Sequence, residues 1–156
     1  MYVINHALET FRTTLYRQTL FAEFERDAHA RAEAGEALTP ELLSEKFRAL
    51  NVKYYGAEVT VDEQIEIEWA RIPHFYSSFY VYQYATGISA SAALARQIIT
   101  EGESAVRRYR RFLSSGSADY SINLLRDAGV DLSTPQPIQQ ALDTFAEYLD
   151  ELESLV

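Results

Sequence analysis

The chain has 156 residues, a net charge of −9, and 47% hydrophobic and 24% charged residues. This balance is typical of a globular domain with a sizeable core and argues against a disordered chain. The acidic surplus argues against nucleic acid as a partner, because no overall basic surface can neutralise phosphates. The sequence contains no cysteine, which excludes disulfides and thiolate metal sites.

The sequence also argues against a membrane partner. No apolar run approaches the roughly 18 residues of a membrane-spanning helix, and the first residues lack the pattern of a signal peptide. These features predict a soluble, cytoplasmic protein. One basic run, from Arg107 to Arg111, could suggest nucleic-acid binding, but on a helix it predicts a solvated face with two arginines on each side.

The first half of the chain predicts helices separated by short turns. Apolar residues recur at three- and four-residue spacing from about residue 7 to 34, which predicts an amphipathic helix that Gly35 ends in a left-handed cap. Thr39 and Pro40 are typical of the N-cap and first position of a second helix. Residues 54–61 predict a loop, because a single short strand would lack a partner. The second helix has an apolar face made by Leu42, Leu43, Phe47 and Leu50.

The second half continues the helical pattern. Asp62 is predicted to cap a third helix that Pro73 ends, and the apolar residues 79–99 predict a buried helix. Glycine, serine and proline boundaries then predict helices at about 103–113, 120–128 and 137–155. The third helix has an apolar face made by Ile65, Trp69 and Ile72. We therefore predict an all-α fold, a helical bundle, with residues 1–156 forming a single all-helical domain.

The sequence contains no self-contained catalytic or metal motif. His6, His29 and His74 lack the His-Glu-x-x-His pattern and have no second histidine one helical turn away. His6 and His29 are therefore predicted to be ordinary surface or capping residues, and no metal ligand is assigned. No nucleophile elbow or phosphate-binding glycine loop is present. Carboxylate pairs such as Glu66 and Glu68 are typical of solvated helix faces.

The segment from residue 71 to 87 stands apart from the rest. In it His74 follows a proline, and tyrosines occupy positions 76, 80, 82 and 84. On one continuous helix Tyr76, Tyr80 and Tyr84 would share a face, and Tyr82 would point elsewhere. Histidine and phenolic hydroxyls can donate hydrogen bonds to a carbonyl oxygen that is becoming an oxyanion. Composition alone favours the other interpretation, an aromatic core stripe whose hydroxyls have buried partners.

This segment also resembles a known family. Ile72-Pro-His-Phe-Tyr, followed by Phe79-Tyr-Val-Tyr-Gln-Tyr-Ala-Thr-Gly87, is similar to a signature of the oligoendopeptidase F branch of the thimet-type (M3) metallopeptidases. The resemblance covers nearly the whole chain. It implies the C-terminal part of the catalytic domain of a zinc peptidase that cuts short peptides in a deep cleft. Further matches, in the family's order, are residues 11–25, Tyr54-Tyr55-Gly56, Glu68-Trp69 and residues 125–131.

The resemblance implies roles for four residues. His74 would contact the substrate backbone near the scissile bond, Tyr82 would stabilise the oxyanion, and Tyr76, or alternatively Tyr80, would be the second tyrosine. In the family a His-Glu-x-x-His helix and a downstream glutamate hold zinc. This chain contains neither segment. The resemblance therefore implies zinc in the complete enzyme, and it implies no activity for the chain alone.

Two functions are compatible with these observations. In the first, the chain is the substrate-binding part of a zinc oligoendopeptidase, with short peptides as substrate. Its partner would be the zinc-bearing part, or a second copy that covers exposed aromatic surface. In the second, the chain is a non-enzymatic helical module that binds peptides or a partner protein through a tyrosine-lined groove. A new metal site built from His6, His29 or His74 is a third possibility that no motif supports.

Overall fold

The computed structural model describes residues 1–155, which are mainly helical. A π-helical turn, Arg12–Tyr16, joins the first two α-helices, and two 3₁₀-helices, Glu63–Arg71 and Pro73–Tyr76, precede the fourth. Residues 1–155 contain no strand, so the predicted all-α fold is confirmed. The α-helices are α1 (Tyr2–Phe11), α2 (Arg17–Glu33), α3 (Pro40–Tyr55), α4 (Tyr82–Glu101), α5 (Glu103–Ser114), α6 (Ser121–Asp127) and α7 (Gln136–Ser154).

Local sequence signals define the end of α2 and the start of α3, as predicted. Gly35 follows α2 with φ of 79°, a left-handed conformation that glycine adopts without a side-chain clash. Pro40 is the first residue of α3, and the Thr39 hydroxyl accepts a hydrogen bond from the backbone N–H of Leu42 at 3.3 Å. The predicted glycine cap and threonine N-cap are both confirmed.

The third predicted helix is a 3₁₀-helix, Glu63–Arg71, that starts directly after Asp62. The backbone carbonyl of Asp62 accepts the N–H of Ile65 at 3.2 Å, as the i to i+3 pattern of this helix requires. Asp62 is the N-cap residue, as predicted, but within residues 1–155 its side chain makes no capping hydrogen bond. The predicted apolar face is confirmed, because Ile65, Trp69 and Ile72 pack into one hydrophobic cluster.

Residue contacts divide the chain into two compact units. One unit contains residues 16–85, and the other contains residues 1–15 with the chain from residue 86 onward. The single domain over residues 1–156 stays a prediction. All the candidate site residues, positions 74 to 84, belong to the unit of residues 16–85.

The unit of residues 16–85 has an aromatic core. Phe47 of α3 is fully buried, and its ring centroid lies 5.9 Å from that of Phe21 and 5.2 Å from that of Phe24, both on α2. Phe75 packs on the same core, with its ring 5.5 Å from that of Phe24. Val81 is also fully buried in this cluster. The core therefore anchors the chain on both sides of the segment between the second 3₁₀-helix and α4.

Glu68 corrects the prediction of a solvated carboxylate pair. Its side chain is only 6% exposed, and its Oε1 accepts hydrogen bonds from Arg17 at 2.7 Å and Arg71 at 2.6 Å. A buried carboxylate needs such partners, because leaving water is costly for an unpaired charge. The two arginines provide that compensation at Oε1.

The other unit has two packing regions. The ring of Phe11 on α1 lies 6.1 Å from that of Phe145 and 6.3 Å from that of Tyr148, both on α7. On α5, Arg107, Arg110 and Arg111 are exposed, as predicted for a solvated face, whereas Arg108 donates to Glu101 Oε2 at 2.7 Å. The second region is a cluster that joins α4 to the end of α6 and the residues after it, made by Ala90, Ala93, Leu94, Ala128 and Val130.

Helix α4 is shorter and less buried than predicted. It begins at Tyr82 rather than at Phe79, because Phe79 has φ of 57°, outside the right-handed helical region. Its buried residues are small or aliphatic and lie on one side, while Ile99 is exposed. Within residues 1–155 no helix combines the length and the apolar character needed to cross a membrane.

Candidate functional site

The 3₁₀-helix Pro73–Tyr76 holds His74 between two anchored neighbours. Ile72, just before the helix, is buried in the aromatic core. Phe75 packs edge-on against Phe21, with ring centroids 5.9 Å apart and planes at 71°. His74 lies between them and is half-buried. The alternation of core residues with His74 therefore leaves the imidazole at the surface on a fixed backbone.

His74, Tyr80 and Tyr84 form a cluster of three rings in mutual contact. The imidazole lies parallel to the Tyr80 ring, with centroids 5.7 Å apart and planes within 3°. Tyr84 packs edge-on against both, with its centroid 5.6 Å from that of His74 and 5.5 Å from that of Tyr80. Offset-stacked and edge-to-face contacts are the favoured aromatic arrangements. This three-ring cluster thus fixes the orientation of all three side chains.

The polar groups of the three-ring cluster are also within hydrogen-bonding distance of one another. The Tyr84 hydroxyl donates to the Tyr80 hydroxyl at 3.4 Å, and its oxygen lies 3.3 Å from Nε2 of His74. The Tyr84 oxygen can accept a hydrogen bond from Nε2 in the tautomer of His74 that is protonated there. Both distances are long for hydroxyl bonds, so ring packing contributes most of the cohesion.

The same contact affects the acidity of Tyr84. The hydrogen bond between the two hydroxyls, followed by desolvation, raises the pKa of Tyr84 above its ordinary value of 10.0. A phenolate at this position could no longer donate to the Tyr80 hydroxyl. Tyr84 is therefore a neutral hydroxyl at neutral pH.

The tyrosines do not share one helical face as the sequence predicted. Tyr76 belongs to the 3₁₀-helix, Tyr80 to the turn that follows, and Tyr84 to α4. The positive φ of Phe79 breaks any continuous helix between them. The turn nevertheless brings Tyr80 against Tyr84. The core-stripe interpretation is wrong for Tyr76 and Tyr80, which are 88% and 40% exposed.

Tyr76 lies at the edge of a separate cavity. The cavity has a volume of about 290 Å³ and mainly apolar walls. Its charged or titratable wall residues besides Tyr76 are Glu25 and His29 of α2. Tyr76 therefore adjoins apolar space, whereas Tyr80 is held in the three-ring cluster. The apolar walls include Phe24, Leu38, Leu43, Trp69, Ile72 and Phe75.

Tyr82 is placed by the start of α4. It is the first residue of that helix, directly after the buried Val81, and its side chain is 49% exposed. Because Val81 points into the core, Tyr82 is turned outward on an anchored backbone. Tyr82 and Tyr80 thus flank a core residue and lie on the same exposed stretch of chain.

The sequence prediction missed Glu25, which contacts the turn after the 3₁₀-helix. Glu25 is 5% exposed, and its Oε1 accepts the backbone N–H of Phe79 at 2.7 Å. The ring of Phe79 also lies 4.5 Å from that of His29. A signal was present in the sequence: Glu25 lies four residues after Phe21 and one after Phe24, on the apolar side of α2. A carboxylate on that side requires a buried donor.

The described residues do not fit a zinc ion. Within residues 1–155, no group of three or more histidine, aspartate and glutamate side chains could hold a metal. His74 instead lies against Tyr84, and His29 lies against Phe79. What the site can do chemically is present an imidazole and phenolic hydroxyls as hydrogen-bond donors.

Comparison with known proteins gives a consistent family assignment. Over all 156 residues the chain is 53% identical to oligopeptidase PepF of Bacillus subtilis, and it covers 23% of that protein. It is 42% identical over 154 residues to the plasmid oligoendopeptidase F of Lactococcus lactis subsp. cremoris, covering 99% of this chain and 26% of that protein. The chain therefore spans about a quarter of the length of these relatives.

Solved structures agree with the sequence relatives. The crystal structure of oligoendopeptidase-F from Enterococcus faecium matches 99% of this chain and 30% of that chain, with a TM-score of 0.95 and 45% identity. A putative peptidase from Chlamydophila abortus matches 99% of this chain and 26% of that chain, with a TM-score of 0.92 and 44% identity. Residues 2–144 match the sequence profile described as Peptidase family M3, and the chain belongs to that family.

Proposed function

We propose that this chain is the C-terminal, substrate-binding part of a zinc-dependent oligoendopeptidase that hydrolyses short peptides. The observation that carries the proposal is the three-ring cluster, in which a histidine and phenolic hydroxyls lie at the surface of a chain from peptidase family M3. The names of the relatives, oligopeptidase and oligoendopeptidase F, give the substrate class.

On this proposal the site residues act as hydrogen-bond donors to the peptide. His74 contacts the substrate backbone near the scissile bond, and Tyr82 donates to the oxyanion, with Tyr76 as the second tyrosine. Tyr80 is the alternative, for a specific reason. Since Tyr84 donates to the Tyr80 oxygen, the Tyr80 proton is available for a carbonyl outside the cluster. Donors held in a fixed geometry stabilise developing charge without reorganisation.

Zinc enters this proposal through residues outside the chain. A zinc ion in an M3 peptidase supplies the Lewis acid and the activated water, and residues 1–155 offer no ligand set for it. The proposed partners are thus a short peptide and the zinc-bearing part of the enzyme, with self-association as the alternative for the chain alone. The cytoplasmic location stays a prediction from composition.

A hybrid enzyme tests the proposal. In this PepF hybrid, the 156 residues replace the matching region of Bacillus subtilis PepF, to which they are 53% identical. We expect the hybrid to bind stoichiometric zinc and to cleave a quenched fluorescent peptide, while PepF without this region does not cleave it. A folded, zinc-loaded hybrid that binds the peptide without cleaving it would contradict the proposal and favour a non-enzymatic peptide-binding module.

A further inference from the structure

The turn between the second 3₁₀-helix and α4 has an unfavourable backbone conformation at one residue. Phe79 has φ of 57°, and it is the one non-glycine residue with positive φ in residues 1–155. A bulky side chain rarely adopts this region, because Cβ crowds the backbone. The conformation therefore persists only if the surroundings hold it in place.

Two residues of α2 hold Phe79. The buried carboxylate of Glu25 accepts its backbone N–H at 2.7 Å, a short, charge-assisted hydrogen bond. One helical turn further on, the ring of His29 packs on the Phe79 ring, with centroids 4.5 Å apart and planes at 38°. The backbone and the side chain of Phe79 are thus both fixed to one helix.

The contact with Glu25 determines where the neighbouring tyrosines lie. Val81, two residues after Phe79, is fully buried in the aromatic core. Tyr80 is therefore held between two anchored residues, and Tyr82 follows directly. Without the contact at Phe79, the turn would keep only its core anchor, and the stacking of Tyr80 on His74 would lose its backbone support.

We propose that Glu25 is a positioning residue for peptide hydrolysis. Its carboxylate fixes the positive-φ turn so that the hydroxyls of Tyr80 and Tyr82 face the substrate carbonyl. This inference rests on the proposed function, in which those tyrosines donate to the substrate. Glu25 itself contacts the backbone of Phe79 and acts through it.

The test is Glu25→Gln in the PepF hybrid, with steady-state kinetics, zinc content and thermal unfolding measured together. We expect kcat to fall about tenfold or more, since sub-ångström to ångström displacement of catalytic groups has effects of this size. KM should change less than about twofold and zinc content should not change. The matched control is Glu23→Gln on the same helix, a carboxylate paired with Lys53, which should leave kcat unchanged.

Two more variants separate positioning from folding. Glu25→Asp keeps the charge but withdraws the carboxylate by one methylene, so it should lower kcat with less effect on folding. Phe79→Gly, added to Glu25→Gln, should restore part of kcat, because glycine adopts positive φ without the clash. Partial rescue is the result that a purely structural role of Glu25 would not produce.

Unchanged kcat in both Glu25 variants would overturn the inference. A parallel loss of kcat, zinc and unfolding temperature without rescue by Phe79→Gly would also overturn it, since Glu25 would then only support folding. The variants Tyr82→Phe and His74→Phe distinguish this failure from failure of the proposed function. If those two variants lower activity and the Glu25 variants do not, only the positioning role is wrong.

Discussion

The imidazole of His74 and the phenol of Tyr80 stack with their planes within 3° and their centroids 5.7 Å apart. Tyr84 closes the cluster from the side, at 83° to the first ring and 82° to the second. Each ring therefore limits the rotation of the other two. Two of the candidate donors, His74 and Tyr80, are therefore oriented before any ligand arrives, which is the condition for strong stabilisation of developing charge.

Tyr82 is predicted to supply an oxyanion donor. In the PepF hybrid, Tyr82→Phe should lower kcat about 10²- to 10³-fold, the effect of removing one such donor. Zinc content should stay the same, because residues 1–155 provide no metal ligand set. Steady-state kinetics with a quenched fluorescent peptide, together with metal analysis, measure both quantities.

The variants Tyr76→Phe and Tyr80→Phe serve as comparisons for Tyr82→Phe. The one that causes the larger fall in kcat identifies the second tyrosine. An unchanged kcat for Tyr82→Phe, with zinc bound, would rule out its role as the donor.

His74 is predicted to contact the substrate backbone rather than the metal. His74→Phe retains a flat ring against Tyr80 but removes both nitrogens, so the stacking should survive. One lost hydrogen bond corresponds to about a tenfold weaker interaction, and we expect KM in the hybrid to rise by about that factor.

Tyr84→Phe is the matched control for His74→Phe, because it removes the hydroxyl beside Nε2 and leaves the imidazole in place. It should affect KM less than His74→Phe. Loss of zinc from the His74 variant would contradict this assignment, since it would indicate a metal ligand.

The helices could be predicted because their signals are local. Thr39 and Pro40 specify the start of α3 from within one turn, and Gly35 specifies the end of α2 within two residues. The apolar face of α3 follows from the period of its own residues. Asp62 was predicted as a side-chain cap because the sequence does not distinguish an α-helix from a 3₁₀-helix. In the structure the Asp62 backbone carbonyl accepts the N–H of Ile65, and its side chain makes no capping hydrogen bond.

The site could be predicted only as a set of residues. His74, Tyr80 and Tyr82 lie on one short segment, but their arrangement depends on the turn at Phe79. That turn is held by Glu25, 54 residues away in the sequence. Periodicity describes neighbours within a helix and contains no information on a contact of that separation. A continuous helix was therefore the natural but incorrect expectation for Tyr76, Tyr80 and Tyr84.

The chain by itself is predicted to be inactive. Purified residues 1–156 should bind no stoichiometric zinc and should not cleave a quenched fluorescent peptide, because the described residues lack a metal site. Metal analysis after zinc loading and a cleavage assay with and without chelator measure this. Stoichiometric zinc with chelator-sensitive cleavage would contradict the prediction and would require ligands that the sequence pattern does not reveal.

Tyr54 is predicted to make stability depend on alkaline pH. Partial burial, followed by the hydrogen bond to Glu23 at 2.8 Å, raises the pKa of Tyr54 from 10.0 to about 12. The folded state therefore keeps a proton that the unfolded state releases between these values. The contribution is full below pH 10 and is lost as the pH rises to about 12.

Urea unfolding of the chain at pH 9, 10 and 11 measures this effect. The free energy of unfolding should fall more steeply over this range in the wild type than in Tyr54→Phe, which has no proton to release. Tyr120→Phe, at an exposed tyrosine, is the control and should follow the wild type. Identical slopes for Tyr54→Phe and the wild type would exclude the linkage.

Phe47 is predicted to be the side chain on which the unit of residues 16–85 depends most. It is fully buried, stacks on Phe21 with planes at 24°, and meets Phe24 edge-on at 88°. Phe47→Ala removes these contacts and leaves a cavity, which costs about 3–5 kcal/mol of the free energy of unfolding. Leu113→Ala, at an exposed position, should cost less than about 0.5 kcal/mol.

The same core anchors Phe75 and Val81, which lie on either side of the candidate site. Phe47→Ala should therefore also weaken peptide cleavage by the hybrid near its unfolding temperature. A stability loss no larger than that of the Leu113 variant would show that this core does not hold the site.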